Sequence, residues 1–458
     1  MTFIINIHVT RKSGMPRMIM GVFLGYGHGP RGWDDPKLRA DYDWRRPELF
    51  QDLALVCERG CLDLMIFADV LGIPEAFKGS QETPIKFGLE GICHDPIPLL
   101  SMIAAKAENL GLASTISTTF YPPFLAARLW TTLDHLTRGR VAWNVVTTSN
   151  QSTAKNFGLE QLPLHDERYD IADEYMQLCY QLWSSWDRDA VTEPRNDIVF
   201  ADPKKVRRIF FQSDNFKCAG PLNAVPSPQG RPVIVQAGTS DKGREFASRH
   251  AELVICSNES FDEMKFICDD IRERAVRNGR QETDLKVLFT FNPMVLGPNE
   301  SQVAHKEKLF EDVGHQFVEA GLAKISRSLG IDVSTFDLDK PIPHIEQQML
   351  QSGRSLLPKY YSFGRTPTLR EVAAREATKE TFQVRGTYER IAERLIDVFN
   401  GVRCDGFLLR ANYLTKELSG YVPEFVDNVV PILQREGYIQ VSYQPGTLRQ
   451  RLGTACPL

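Results

Sequence analysis

The sequence predicts an α/β fold of the (β/α)8 or TIM-barrel class, with insertions after the fourth and seventh strands. Short apolar runs rich in β-branched residues recur along the chain, and such runs are typical of buried strands. Segments with helical spacing separate them, which favours a parallel sheet built from βα units, and eight such units close a barrel. The predicted strands cover residues 17–24, 62–68, 111–118, 141–147, 231–237, 252–257, 285–291 and 405–410.

Helical spacing is clearest in residues 46–59, where apolar residues fall at positions 49, 50, 53, 54, 56 and 57 and Gly60 provides a stop. Pro122 opens the helix after the third strand, as proline often does in a first turn. A further helix is predicted after Gly243. The other predicted helices cover 97–109, 122–136, 165–183, 261–278 and 423–435.

Two stretches are too long to be simple crossovers. Residues 187–230 contain several prolines and glycines and no long helical pattern, which predicts a small β-structure over the barrel. Helical patterns dominate residues 300–400, and we predict a mobile lid at 357–366 within them. We expect residues 1–17 to form an extension and 18–458 a single domain. Two doubly wound domains are the alternative, and the lack of a credible dinucleotide fingerprint counts against them.

Composition restricts the partners of the chain. Its 458 residues are 42% apolar, which is enough for a large core, and its net charge of -4 gives no basic excess for a nucleic acid. No apolar run approaches the ~18 residues of a membrane span. Nine cysteines are scattered without a dense framework, which favours the cytoplasm. The chain contains neither H-E-x-x-H nor C-x-x-C, so we predict no metal site.

The loop after the first strand contains a glycine pattern with two interpretations. Gly27, Gly29 and Gly32 match G-x-G-x-x-G, but that fingerprint must open a helix and the turn-like residues 33–36 follow here. The alternative is a flexible βα loop, and in a barrel such loops form the active site. His28 and Trp33 would then line the pocket mouth.

Polar residues close three predicted strands, at the end of a barrel where ligands bind. Asp69 follows the second strand and is either a cap for the next turn or a ligand contact. Thr115 lies in the third strand, where β-propensity alone could explain it. Asn144 and Thr147 lie near the carboxyl end of the fourth strand and form the most informative pair.

Two later segments predict a binding site for a single phosphate. Asp166 is a plausible N-cap for the helix of residues 165–183, and His165 and Tyr169 can face one point near its positive amino end. The alternative is a buried aromatic stripe with a surface histidine. The turn Gly238–Ser240, which includes Thr239, feeds another helix and offers backbone N–H groups and two hydroxyls. It misses the P-loop motif because Arg244 and Glu245 follow, which disfavours ATP chemistry.

A barrel with a phosphate site but no evident nucleophile or acid–base pair indicates that a cofactor carries the chemistry. Three segments have a further significance: GRVAWNVVTTSNQSTAKNFG at 139–158, HDERYD-x-ADEY at 165–175 and FVDNVVPILQREGY at 425–438. They resemble the flavin-dependent monooxygenases of the bacterial-luciferase superfamily. The resemblance is greatest to the branch of nitrilotriacetate, EDTA, long-chain alkane and dibenzothiophene-sulfone monooxygenases.

The resemblance implies a specific reaction. Reduced FMN would arrive from a separate NAD(P)H-dependent flavin reductase. Molecular oxygen would add to its ring, and the resulting peroxyflavin would oxygenate a small organic substrate. The resemblance also places Asp69 and Thr115 against the flavin, and His165, Tyr169 and the turn Gly238–Ser240 at its phosphate. His28 and Trp33 would be catalytic, and the chain would form a homodimer or homotetramer.

Two other hypotheses remain open from the sequence. The chain could be another enzyme of the same superfamily, either a deazaflavin-dependent oxidoreductase or a flavin-consuming lyase. It could also be a flavin-binding homologue without turnover. Oxygen consumption with reduced FMN, and hydride transfer with deazaflavin in the absence of oxygen, distinguish the three.

Overall fold

Eight parallel strands close into a barrel in the computed structural model of this chain. The carboxyl-terminal strand pairs with the first, with Gly406 opposite Ile19, so no edge is left open among these eight strands. The prediction of a (β/α)8 barrel is confirmed, and the alternative of two doubly wound domains is wrong. The strands are β1 (Ile19–Leu24), β2 (Leu64–Phe67), β3 (Gly111–Ser117), β4 (Val141–Val146), β5 (Val233–Gln236), β6 (Leu253–Cys256), β7 (Lys286–Gly297) and β8 (Gly406–Ala411). The structure describes residues 17–25, 45–192, 199–258, 260–342, 366–378, 382–411 and 422–455.

Helices surround the barrel and follow the strands as the sequence pattern predicts. Those of the first half are α1 (Glu48–Arg59), α2 (Glu82–Lys86), α3 (Ile97–Ala104), α4 (Pro123–Leu136), α5 (Ser152–Asn156), α6 (His165–Trp183) and α7 (Asp241–His250). Those of the second half are α8 (Phe261–Arg277), α9 (Glu300–Gln316), α10 (Val318–Leu329), α11 (Leu369–Thr378), α12 (Tyr388–Val402), α13 (Val422–Asn428), α14 (Val430–Arg435) and α15 (Leu448–Leu452). No helix in the described part of the chain is long and apolar enough to cross a membrane.

Alternation along each strand separates an inner core from an outer one. Leu64 and Ile66 point into the barrel, whereas Met65 and Phe67 pack outward against the helices. The floor of the barrel is closed by α15, because Leu448 and Leu452 belong to the inner cluster. The same alternation turns residues 115 and 144 inward, one layer above Ala113 and Ala142. The barrel is therefore apolar at its floor and polar at the carboxyl ends of its strands.

Both predicted insertions are present. The first contains the short 3-10 turn Pro203–Lys205 and a hairpin of Phe211–Gln212 with Lys217–Cys218. The second carries α9, α10 and α11, as its helical patterns predict, but it also contains an unpredicted strand, Phe382–Thr387. That strand extends the sheet by pairing in parallel with the outer half of β7. Residues 1–16 of the predicted extension and nearly all of the predicted lid, 357–365, lie outside the described residues.

The second insertion packs on the loop after β2 and forms a small core of its own. Phe77 and Leu89 of that loop are buried against Leu322, Ile325 and Val372 of the insertion helices. Hydrogen bonds from the loop after β4 reach the same loop, including one from Asn150 Nδ2 to the Gly72 carbonyl at 3.2 Å. The carboxyl end of the barrel is therefore walled by loops from β2 and β4 and by the second insertion.

Candidate active site

A cavity of about 290 Å³ lies at the carboxyl ends of the strands. This is the end at which parallel barrels bind their ligands, because the βα loops and the amino ends of the helices meet there. Six of the residues predicted from the sequence line it. They are Asp69, Thr115, Asn144, Thr147, His165 and Tyr169.

Thr115 and Asn144 form a fixed polar pair on adjacent strands. The Thr115 hydroxyl donates to the Phe67 carbonyl at 2.9 Å, so its oxygen must accept from Asn144 Nδ2, which lies at 2.8 Å. This arrangement orients the Asn144 amide and leaves its Oδ1 buried without a hydrogen-bond donor in the described part of the chain. An orphaned buried acceptor is costly, and a ligand with an N–H or O–H group would satisfy it.

The turn after β5 forms a small cradle beneath the Tyr169 hydroxyl. A Cβ atom on Gly238 would lie 2.4 Å from Gln236 Nε2 and 2.9 Å from the Tyr169 oxygen. A Cβ atom on Gly243 would also lie 2.9 Å from that oxygen. Ser240 caps α7, because its Oγ accepts from the Gly243 N–H at 3.1 Å. Only glycine therefore fits at these two positions of the cradle without displacing Tyr169.

Tyr169 stays protonated at neutral pH and can donate a hydrogen bond into the cradle. Burial raises the pKa of its phenol, although hydrogen bonds with Ser240, Thr147 and Gln236 work in the opposite direction. The Thr147 hydroxyl therefore contributes to the site by its hydrogen bond with Tyr169. The Thr147 carbonyl accepts from Thr119 Oγ1 at 2.9 Å.

The amino ends of α6 and α7 meet around this cradle. Lys242 at the start of α7 forms an ion pair with Asp170 of α6 at 2.7 Å, and the Tyr169 and Phe246 rings lie 5.7 Å apart. Free N–H groups and a positive partial charge gather at both helix ends, which is the environment that a phosphate prefers. His165 is half-exposed, its ring lies 5.2 Å from the Tyr169 ring, and its Nδ1 lies 2.7 Å from Asp166 Oδ1.

The predicted cap of α6 is wrong by two residues. Leu164 is the N-cap, in an extended conformation, and its N–H donates to the Glu167 carboxylate at 3.3 Å. Asp166 is the second helical residue, so its carboxylate does not cap the helix. Tyr169 is consequently the fifth helical residue instead of the third.

The carboxyl group of Asp69 lies in the cavity wall and has a raised pKa. Burial raises its pKa to about 6, and the nearby charge of Asp95 adds to the effect. Cys93 donates its S–H to Asp69 Oδ1 at 3.7 Å. No described helix begins directly after Asp69, because the next one, α2, begins at Glu82. Among the described residues there is therefore no helix that Asp69 could cap.

The remaining predicted residues have mixed placements. Gly238 and Ser240 form the cradle, whereas the Thr239 side chain is exposed and its carbonyl accepts from Arg244 Nη1. His28 and Trp33 lie outside the described residues.

Several cavity residues escaped the sequence prediction, among them Gln236, Arg168 and Arg327, which carry polar side chains. Gln236 is buried at the end of β5 with its Oε1 unpaired in the described part of the chain, and it could have been found by the rule that singled out Asn144. Arg168 is buried beside Tyr169, where burial lowers its pKa, and it donates to the Pro163 carbonyl. Arg327 comes from α10 in the second insertion and pairs with Glu90. No local pattern signals that contact.

A closed parallel barrel with two helix amino ends at its carboxyl end, and with two buried acceptors there that lack donors among the described residues, has the architecture of a cofactor-dependent barrel enzyme. Comparison with known proteins gives the family. The model of the luciferase-like monooxygenases matches residues 18–402. The chain belongs to the luciferase-like monooxygenase family.

Individual relatives agree with this assignment over most of their length. Dibenzothiophene-sulfone monooxygenase of Rhodococcus erythropolis is 36% identical over 426 residues, covering 91% of this chain and 92% of the relative. The crystal structure of DmoA from Hyphomicrobium sulfonivorans superimposes with a TM-score of 0.85 at 33% identity, covering 96% of this chain and 92% of that one. A riboflavin lyase solved with modified FMN and riboflavin gives 0.82 at 28% identity, covering 96% and 97%.

Proposed function

We propose that this chain is the oxygenase component of a two-component flavin-dependent monooxygenase. It uses reduced FMN and molecular oxygen to insert one oxygen atom into a small organic substrate. A separate NAD(P)H-dependent flavin reductase supplies the reduced FMN. The family assignment supports the class of reaction, and the cavity at the carboxyl ends of the strands supports the cofactor.

The observation that carries the proposal is the cradle between Tyr169, Gly238 and Ser240. The cradle holds the Tyr169 hydroxyl close to the backbone of Gly238, since any side chain at Gly238 would meet Gln236 and Tyr169. It is framed by two helix amino ends, which suit a phosphate dianion. FMN has a single terminal phosphate, whereas the phosphate of FAD continues into a second nucleotide. The cradle therefore favours FMN over FAD.

The rest of the cavity fits the remainder of the cofactor. Asn144 Oδ1 and Gln236 Oε1 are buried acceptors, and the flavin ring and its ribityl chain carry N–H and O–H donors. Thr115 holds Asn144 in orientation, and Asp69 stands in the same wall with Val70 and Leu71. Reduced FMN, when bound, supplies the electrons that activate oxygen.

One relative, nitrilotriacetate monooxygenase component A of Aminobacter aminovorans, is named as one component of a larger system, which supports a separate reductase. The glycine pattern of residues 27–32, which comes soon after β1, is not followed by a helical pattern in the sequence, which disfavours a dinucleotide site there. A reductase that binds NAD(P)H is the simplest source of reduced flavin. We extend the proposal to a homodimer or homotetramer in the cytoplasm, formed from a single domain of residues 18–458 that follows an extension of residues 1–17. His28 and Trp33 contribute to catalysis.

Product formation with labelled oxygen tests the function. Purified chain, FMN, NADH and a flavin reductase are combined under 18O2 with a panel of sulfones, aminopolycarboxylates and alkanes. We expect one labelled oxygen atom in the product of at least one compound, and tight binding of FMN with much weaker binding of FAD. Equal affinity for the two flavins, or hydrogen peroxide as the only product across the panel, would contradict the proposal.

A flavin-consuming lyase is the second candidate, because the riboflavin lyase structure superimposes over almost the whole chain. The same assay separates the two functions, since a lyase destroys one flavin per turnover and a monooxygenase returns it. Loss of the flavin absorbance in proportion to oxygen consumed would favour the lyase. Hydride transfer to or from a deazaflavin without oxygen would favour a deazaflavin-dependent oxidoreductase. Flavin binding without oxygen consumption would indicate a non-catalytic homologue.

A further inference from the structure

We propose that a partly buried cluster outside the cavity, made of Asp173, Tyr180 and His250, sets the affinity of the cradle for phosphate. We call it the helix clamp. His250 is its central member and acts as a positioning residue, because it touches neither the cavity nor the cradle. The inference rests on the proposed function, since it assumes that the cradle holds the phosphate of FMN.

The clamp joins α6 to α7 through both nitrogen atoms of one imidazole ring. His250 is the last residue of α7, and its Nε2 lies 2.7 Å from Asp173 Oδ1 on α6. Its Nδ1 lies 3.1 Å from the Tyr180 hydroxyl, two turns further along α6. The ring is only 6% exposed. These are the helices whose amino ends frame the cradle, so their relative position decides its width.

The chemistry of the partners fixes the proton on His250. Asp173 is an acceptor, so Nε2 carries the hydrogen and Nδ1 accepts from the Tyr180 hydroxyl. Burial lowers the pKa of His250, and the charges of Arg249 and Arg231 act in the same direction against the effect of Asp173. Arg249 also pairs with Asp173 at 2.8 Å, and Arg231 stacks over the Tyr180 ring at 4.2 Å. The ring is therefore neutral at pH 7 and makes both hydrogen bonds at once.

A continuous row of rings carries the effect from the clamp to the cradle. The His250 and Phe246 rings lie 4.6 Å apart on successive turns of α7. Phe246 in turn lies 5.7 Å from the Tyr169 ring and lines the cavity. Tyr169 places its hydroxyl against Gly238 and Gly243. Because packed rings transmit small displacements, a shift of His250 moves the Tyr169 oxygen relative to the turn.

Comparing FMN with riboflavin isolates the phosphate contribution, because riboflavin is the same molecule without that group. In His250→Phe the ring contact with Phe246 remains and both hydrogen bonds are lost. We expect FMN affinity to fall about tenfold, equivalent to about 1.4 kcal/mol, with riboflavin affinity unchanged. In His250→Gln the amide can still donate to Asp173, so the loss should be only about threefold. Both affinities are measured by flavin fluorescence on the oxidised cofactor, without turnover.

Arg272→Met provides the matched control. Arg272 lies on α8, away from the cradle, and is also buried. It forms an ion pair with Asp405 at 2.7 Å. The Arg272→Met substitution should lower the stability of the fold while leaving the ratio of FMN to riboflavin affinity as in the wild type. If His250→Phe does not fold, Tyr180→Phe removes one hydrogen bond of the clamp and is used in its place.

Two results would overturn the inference. One is a parallel loss of FMN and riboflavin affinity in the clamp variants, which would indicate general loosening of the fold. The other is an equal change of the ratio in Arg272→Met. Failure of the proposed function itself is visible separately, because the wild type would then bind FMN no more tightly than riboflavin.

Discussion

The hydroxyl oxygen of Tyr169 lies 2.9 Å from the point at which a Cβ atom would stand on Gly238. Tyr169 belongs to α6 and Gly238 to the turn after β5. Their contact closes the cradle. Real Cβ atoms do not approach other atoms this closely, so even a methyl group must displace Tyr169 or Gln236.

Gly238→Ala should therefore abolish selective binding of the FMN phosphate. We expect FMN affinity to fall at least tenfold, a change of about 1.4 kcal/mol, because the methyl group displaces the side chains of Tyr169 and Gln236 that line the cradle. Equilibrium dialysis with FMN and inorganic phosphate measures the effect. Gly297→Ala is the control, because a Cβ atom there would meet its neighbours at 3.4 Å or more. Unchanged affinity in Gly238→Ala would mean that the phosphate binds elsewhere.

Tyr169→Phe tests the hydroxyl group alone. It removes the hydrogen bond to a charged ligand together with those to Ser240, Thr147 and Gln236, and we expect FMN binding to weaken by about 1–2 kcal/mol at temperatures where the variant is folded. Tyr443→Phe is the matched control, because the Tyr443 hydroxyl donates to the Leu62 carbonyl at 2.6 Å away from the cavity. It should cost stability and leave FMN affinity as it was. A Tyr169→Phe variant that loses only stability and keeps the wild-type FMN affinity would support the aromatic-stripe interpretation of α6.

The barrel and half of its site could be predicted because local sequence patterns indicate both of them. Short apolar runs rich in β-branched residues identify each strand, and a polar residue near the carboxyl end of such a run indicates the cavity wall, as at Asn144. The same rule applied to the run Val233–Gln236 would have added Gln236. What the pattern cannot supply is the register that places Thr115 beside Asn144 and so orients the amide.

Contacts between distant segments explain two of the misses, and a local hydrogen bond explains the third. Arg327 reaches the cavity only because α10 packs on the loop after β2, and its partner Glu90 is 237 positions away in the sequence. The strand Phe382–Thr387 is short and lies among helical patterns, and it forms by pairing with the protruding half of β7. The α6 cap was misplaced because Glu167 takes the Leu164 N–H, which lets the helix begin before Asp166.

The floor of the barrel should govern stability without affecting the cofactor. Arg449 of α15 makes a bidentate pair with Glu252, at 2.7 Å and 2.9 Å, and Glu252 is completely buried. Arg449→Met leaves that carboxylate unpaired, and we expect a loss of about 3–5 kcal/mol in the free energy of unfolding. Urea denaturation measures it, and FMN affinity should not change at temperatures where the variant is folded.

Two controls accompany this experiment. The double variant Arg449→Met with Glu252→Gln removes both charges and should recover part of the loss. Arg59→Met breaks an exposed pair with Asp427 and should cost less than about 1 kcal/mol. If Arg449→Met costs no more than Arg59→Met, the pair does not hold the floor.

Asp69 should make stability depend on pH in a specific window. Its pKa in the folded protein is about 6, above the ordinary value of 3.8, so the folded state binds this proton more tightly than the unfolded chain does. The stabilisation is complete below pH 3.8 and is lost as pH rises through 6. Asp69→Asn keeps a neutral group at every pH. Relative to wild type, the variant should gain up to roughly 3 kcal/mol between pH 4 and pH 7.

Carbon-13 NMR of labelled aspartate carboxyl groups measures the same proton directly. One resonance should titrate with a midpoint near pH 6 and disappear in Asp69→Asn. In Asp95→Asn that midpoint should fall, because the charge of Asp95 contributes to the raised pKa of Asp69. Burial is the larger cause, so the midpoint should remain above the ordinary value of 3.8. A midpoint near 4 in the wild type, with a pH-independent stability difference for Asp69→Asn, would show that water reaches this carboxyl and that the cavity wall does not exclude it.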